Sequence, residues 1–199
     1  AEYAIPTAIA SEADVLICCP QMKCHTVAGT SLALKNVSVG IPTHKVYGTF
    51  KLALPHLKFA EWTTELNLVR KKNGKGTPII DYVVCDALWA GEGEQGGAWG
   101  GPGSFPVAMG LIIAGSDPVA TDSVTTAVMG FNPENYGQYR MAAQYGLGTM
   151  DLTKIEVVGK SILEVQEKLV APMHSWRWPD EAAGNVKWDE IWPLPAGVE

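Results

Sequence analysis

The chain has 199 residues, 47% of them apolar and 18% charged, with a formal net charge of -6 at pH 7. That composition suits a globular domain with a real core. The acidic balance argues against a nucleic-acid-binding surface, which needs clustered Lys and Arg, and no apolar run approaches the roughly 20 residues of a membrane span.

Ala13–Cys19 (ADVLICC) is a short, nearly continuous apolar run that ends at Pro20. Such runs predict strands covered on both faces, as in parallel sheets. Ile79–Cys85 and Val107–Ala114 repeat the pattern, and Ile155–Val158 is a shorter fourth candidate. Between them, helices are expected over 29–37, 55–72, 117–130, 135–145 and 161–169. The helix at 117 has the clearest start, with Asp117 as N-cap and Pro118 in the first turn. The expected fold class is α/β, a layered and largely parallel sheet flanked by helices.

Two segments read as irregular. Gly91–Gly103 (GEGEQGGAWGGPG) is too glycine-rich to hold a regular element cheaply. Residues 171–199 carry Trp176, Trp178, Trp188 and Trp192 among several prolines and read as an extended arm, distinct from an α/β domain over 1–170. The basic run Arg70, Lys71, Lys72, Lys75 reads as a solvated helix end. Cys18, Cys19, Cys24 and Cys85 match no zinc or cluster spacing and read as buried free thiols. Reduced thiols, with no cationic and apolar leader opening the sequence, point to a cytoplasmic setting.

Three loops at predicted strand ends carry ionisable groups, where open α/β sheets place their ligand sites. After the first strand come Lys23 and His25, which could grip a carboxylate or phosphate, with His25 alternatively a metal ligand. Lys35 and Asn36 follow near the end of the short helix, where a lysine would complement the dipole. After the second strand come Asp86, Glu92 and Glu94, suited to metal ligation or to acid/base work. The formal G-x-G-x-x-G at Gly91, Gly93 and Gly96 does not turn straight into a helix, so no nucleotide cofactor is expected. The third is Asp122, one turn into an otherwise apolar helix. There a buried carboxylate must be exposed, paired with a cation, or bound to a ligand. His44 and His56 read as solvent-facing, and His174 as part of the Trp-rich arm. No P-loop, nucleophile elbow or H-E-x-x-H pair occurs.

Several segments together resemble a known family. Ala13–Ile17 with Pro20, Lys23 and His25, followed by Leu34-Lys35-Asn36, is similar to its "ADVLINVPKLKTH … LKN" signature. Asp86 and Glu92-Gly93 resemble its "VVDG … EGxGP" segment, and Gly115–Asp122 with Met129-Gly130 its "AGxDPVAVDAVxxxxMG" helix. This is domain-of-unknown-function family three-sixty-two, resembled over about residues 5–165. Its members often occur fused to four-iron ferredoxin modules, which implies an iron–sulfur partner. The family's domain usually begins well before the "ADVLI" strand, so the resemblance implies a further N-terminal half, a second chain or a homo-oligomer that completes the site. Cys24 stands where the family usually has threonine.

The leading expectation is an enzyme for a small anionic substrate, with a divalent metal as an added element. Lys23, Lys35 and Asn36 would hold the anion, and His25, Asp86 and Glu92 would do the chemistry. His25, Glu92 and Asp122 would supply metal ligands. The alternatives are a redox-linked protein that docks an iron–sulfur partner, and a non-catalytic assembly subunit that works through the Trp-rich arm.

Overall fold

Strand β4, Tyr82–Gly93, is the axis of the sheet. The computed structural model describes residues 3–26, 28–48, 58–69, 79–93 and 104–172. On one edge β4 pairs in parallel with β1 (Ile17–Cys18) and β2 (Gln21–His25). These are two pieces of one extended passage, interrupted where Pro20 has no N–H to give; the Pro20 carbonyl still accepts the Asp86 N–H. β3 (Gly29–Thr30) turns back antiparallel to β2. On its other edge β4 pairs antiparallel with β5 (Ser104–Gly115).

The protein is α/β, with helices α1 (Ala33–Gly40), α2 (His44–Tyr47), α3 (Phe59–Asn67), α4 (Pro118–Val128), α5 (Gly137–Gln144) and α6 (Ile162–Val165). All 11 residues of α4 are buried. It packs against β4, β5, α1, α5 and α6, and α1 packs in turn on α3. Apart from the Ser123 hydroxyl, the polar side chains of α4 find partners inside. Thr121 and Thr125 hydroxyls donate to carbonyls one turn back, and Thr126 shares a hydrogen bond with the Tyr139 hydroxyl. The core between sheet and helices holds Met22, Cys24, Val83, Cys85, Val119 and Ala127.

Burial along β4 alternates as a strand covered on one face should. Val83, Cys85 and Ala87 are buried, whereas Tyr82, Asp86 and Leu88 are exposed. In β5 the even-numbered residues from Pro106 to Ala114 are exposed and the odd ones from Val107 to Gly115 are half-buried. A register shift between Ala87 and Trp89 turns two successive large side chains outward. Ile17, Tyr82, Leu88, Trp89 and Ile112 thus share an open apolar face. The apolar runs predict strands covered twice. Among the described residues the second cover is not present.

The structure departs from expectation elsewhere. Helix α1 begins at Ala33, not Gly29, because Gly29 and Thr30 are drawn into the ladder with β2. Residues 155–158 form no strand and instead flank a groove beside α4. Gly91–Gly93 continue β4 rather than opening a loop. Cys18, Cys24 and Cys85 are buried free thiols, but Cys19 is exposed because it faces away from Cys18. His44 is exposed, as expected, and opens α2. The basic run at 70–75, Glu94, His56, His174 and the tryptophans of the arm lie outside the described residues.

Asp117 caps α4 as expected: one carboxylate oxygen accepts the Ala120 N–H at 2.9 Å. The other accepts the Thr149 N–H at 2.9 Å and ties the segment after α5 to the same point. Only glycine fits at 148, since a Cβ there would lie 1.9 Å from the Asp117 oxygen.

Candidate functional site

Lys23 on β2 and Lys35 on α1 reach the same small cleft, of about 170 Å³, with Gln21, Ser31 and Asn36 on its walls. Ser31 is fixed by its N–H donating to the Lys23 carbonyl at 2.8 Å, which carries the chain alongside β2 just before α1. The Lys35 ammonium lies 3.1 Å from the Ser31 hydroxyl. Among the described residues, neither lysine has a carboxylate within ion-pair distance. Lys35 is the more perturbed. Burial, and then the charge of Lys23, pull its pKa down to about 7.

The position of Lys35 reverses the sequence reading. With α1 starting at Ala33, Lys35 stands in the first turn, where the helix dipole opposes a cation instead of complementing it. Asn36 is exposed on the next position and donates to the Cys18 sulfur at 3.4 Å.

Asp122 explains why α1 begins where it does. Its carboxylate, 2% exposed, accepts the N–H groups of Ala33 and Leu34, both at 2.9 Å. Those are donors that the first turn of a helix leaves unsatisfied. Desolvation pushes the Asp122 pKa up to about 7 despite the two amides, which favour the ionised form. Both oxygens are engaged inside the core, so the residue acts as a remote helix cap.

The remaining candidates are spread along β2 and β4. Asp86 is exposed and stands in register with Gln21, one strand over from the cleft. One of its oxygens accepts the Leu88 N–H at 3.0 Å. His25 lies two residues beyond Lys23, and its Nδ1 accepts the Ala28 N–H at 3.2 Å, which puts a neutral ring's proton on Nε2. Glu92 accepts the Val170 N–H at 2.8 Å, and the Cys24 thiol, buried beside it, is pushed up to about 12 by desolvation. The structure therefore joins Lys23, Lys35 and Asn36 at one cleft, with Asp86 opposite Gln21 on its wall and Glu92 one residue past the partner of Lys23. Among the described residues no three of His, Cys, Asp and Glu gather closely enough to hold a metal ion. The donor set His25, Glu92 and Asp122 does not fit a resident cation, because Asp122 is committed to α1.

Two features escaped the sequence reading. Gln21 and Ser31 belong to the cleft, Gln21 from β2 itself and Ser31 because the chain turns back along β2. A larger groove of about 530 Å³ runs between β5, α4 and residues 155–162. Its walls are mostly aliphatic, and two of its three ionisable groups are engaged, leaving the exposed Glu156. Lys160 pairs with Glu164 at 3.0 Å, and Asp117 holds two amides. The smaller, basic cleft carries the better case for chemistry.

Fold and cleft together define an α/β protein with a lysine-lined pocket beside a parallel strand pair. The chain belongs to the family described as Domain of unknown function (DUF362), whose profile matches residues 2–127, from before β1 into α4. Searches of the curated proteins and of the solved structures found no match. No helix among the described residues is long and apolar enough to cross a membrane.

Proposed function

We propose that the protein is an enzyme acting on a small anionic molecule held between Lys23 and Lys35. The observation that carries this reading is a pair of amines turned into one cleft with no carboxylate among the described residues to neutralise them. Placing two cations together and partly out of water is unfavourable. An anion in the cleft would reverse that penalty. Ser31 and Gln21 offer polar contacts at the rim, and Asp86 is the acid best placed to move a proton once a substrate is bound. A carboxylate or a phosphate meets the charge requirement, and the cleft admits only a small one.

Thermal denaturation with added inorganic phosphate or pyruvate tests the reading. Saturation at 100 times Kd should stabilise the fold by about 2.7 kcal/mol, a rise of roughly 5–10 °C in Tm for a domain of this size. Lys23→Met and Lys35→Met should each remove most of that rise. If neither anion moves the midpoint in the unaltered protein, the cleft is not an anion site.

A further inference from the structure

We infer that Lys35 is a nucleophilic amine that forms an imine with the carbonyl of a small 2-oxo acid whose carboxylate is held by Lys23. This rests on the anion reading of the cleft and assigns its two lysines different tasks.

The two lysines sit in unlike surroundings. Lys23 extends from β2, at the edge of the cleft. Lys35 stands half-buried in the first turn of α1. Among the described residues, the groups that face it are the Lys23 cation from β2 and the Ser31 hydroxyl at 3.1 Å. Asp122, from α4, spends its carboxylate on the amides of Ala33 and Leu34. Burial and the Lys23 charge outweigh the Ser31 hydrogen bond and favour the neutral form, which clamps an anion poorly and attacks carbonyl carbon well. A lysine desolvated beside a second cation is a known way to activate such a nucleophile. With its pKa at about 7, roughly half of Lys35 is neutral at pH 7, a fraction about 10³-fold larger than that of an ordinary lysine. The cleft, about 170 Å³, holds roughly five or six waters' worth of volume, which suits a substrate with about that many heavy atoms.

The step balances without a redox partner. The Lys35 nitrogen forms a bond to the carbonyl carbon, the π pair moves to oxygen, and the carbinolamine takes up a proton there. Loss of water then leaves C=N, the two hydrogens coming from the amine and the oxygen from the substrate. Ser31 lies where it can hydrogen-bond to the departing oxygen. The imine, once protonated, draws electrons from the adjacent carbons, so proton removal or loss of carboxylate next to it becomes feasible.

The test is reductive trapping. The intact protein is incubated with pyruvate and cyanoborohydride at pH 7, and the modified residue is found by peptide mass mapping. One reduced pyruvyl group on Lys35, formed roughly 10- to 100-fold faster than on surface lysines once the lower nucleophilicity of a less basic amine is counted, is the expected result. Lys35→Arg, which keeps the positive charge, should abolish it. Lys23→Met should slow trapping roughly 10- to 100-fold, the worth of one charge-assisted contact. Acetone, lacking a carboxylate, should trap as poorly in the unaltered protein as pyruvate does in Lys23→Met. Phosphate or pyruvate that stabilises the fold without any Lys35 adduct would overturn the imine while leaving the anion site standing. Adducts spread evenly over surface lysines would overturn it equally. Failure of both anions to bind would remove the site itself.

Discussion

Replacing Asp122 with asparagine should change the pH dependence of stability more than stability itself. In the folded protein the carboxyl pKa is raised to about 7, against an ordinary 3.8 in the unfolded chain. Between those values the folded state holds the proton more tightly. Stability is therefore greatest at the acid end of the window and declines as pH rises through it. Three units at 1.36 kcal/mol each make the decline about 4 kcal/mol between pH 4 and pH 7. Asparagine does not titrate and lacks this decline. It keeps one oxygen for an α1 amide but turns an N–H₂ toward the other, at a cost of about 1–3 kcal/mol for an unsatisfied buried donor. Asp122→Asn should thus be less stable than the parent near pH 5, and equal or more stable above pH 7. Urea unfolding of both proteins from pH 4.5 to 8 measures this directly. The difference between the two curves isolates residue 122, since all other groups titrate in both. The neighbouring Cys18 thiol, pushed up to about 12 by burial, stays protonated throughout. Parallel curves across the window would refute the assignment.

Lys35→Met should stabilise the protein by about 1–2 kcal/mol at pH 7, because removing a poorly solvated amine relieves its desolvation; urea midpoints and anion titration together check that stability rises as binding is lost. Gly148→Ala should cost about 2–3 kcal/mol, since the new methyl would lie within 1.9 Å of the Asp117 oxygen and break its bond to Thr149; a Tm unchanged from the parent would contradict this. Tyr139→Phe removes a hydroxyl that lies 2.6 Å from Thr30 and 3.0 Å from Thr126. It should destabilise by about 1–3 kcal/mol in the same assay. Trp89→Lys on the open sheet face, where the side chain is 58% exposed, should leave unfolding free energy within about 0.5 kcal/mol of the parent.

The legible parts of the sequence were those decided by near neighbours. Asp117-Pro118 fixes the start of α4 through bonds within three residues, and the structure has that cap. The apolar runs located β4 and β5, because a strand needs little beyond its own composition to be recognised. Their pairing was another matter. Whether β5 runs with or against β4 depends on the connection and on what covers each face, neither of which is a local property. The lysine–asparagine pair was picked out, but Lys35 was placed at the wrong end of its helix. The start of α1 is set by Asp122, 89 residues away from Ala33 in sequence. For the same reason Asp122 itself resembled a ligand. Periodicity flags a buried carboxylate as costly, yet it cannot show which backbone amides will satisfy it.

The Asp122 bridge also bears on how firmly the pocket is built. A side chain on a wholly buried helix grips the opening turn of its neighbour, so α1 cannot slide or tilt without dragging α4 along. Lys35 rides two residues past the first gripped amide. The acid that seems the most obvious reagent in the sequence is instead the rivet that keeps a reagent's bearing steady, and loosening it should blur the direction of the amine before it melts the fold.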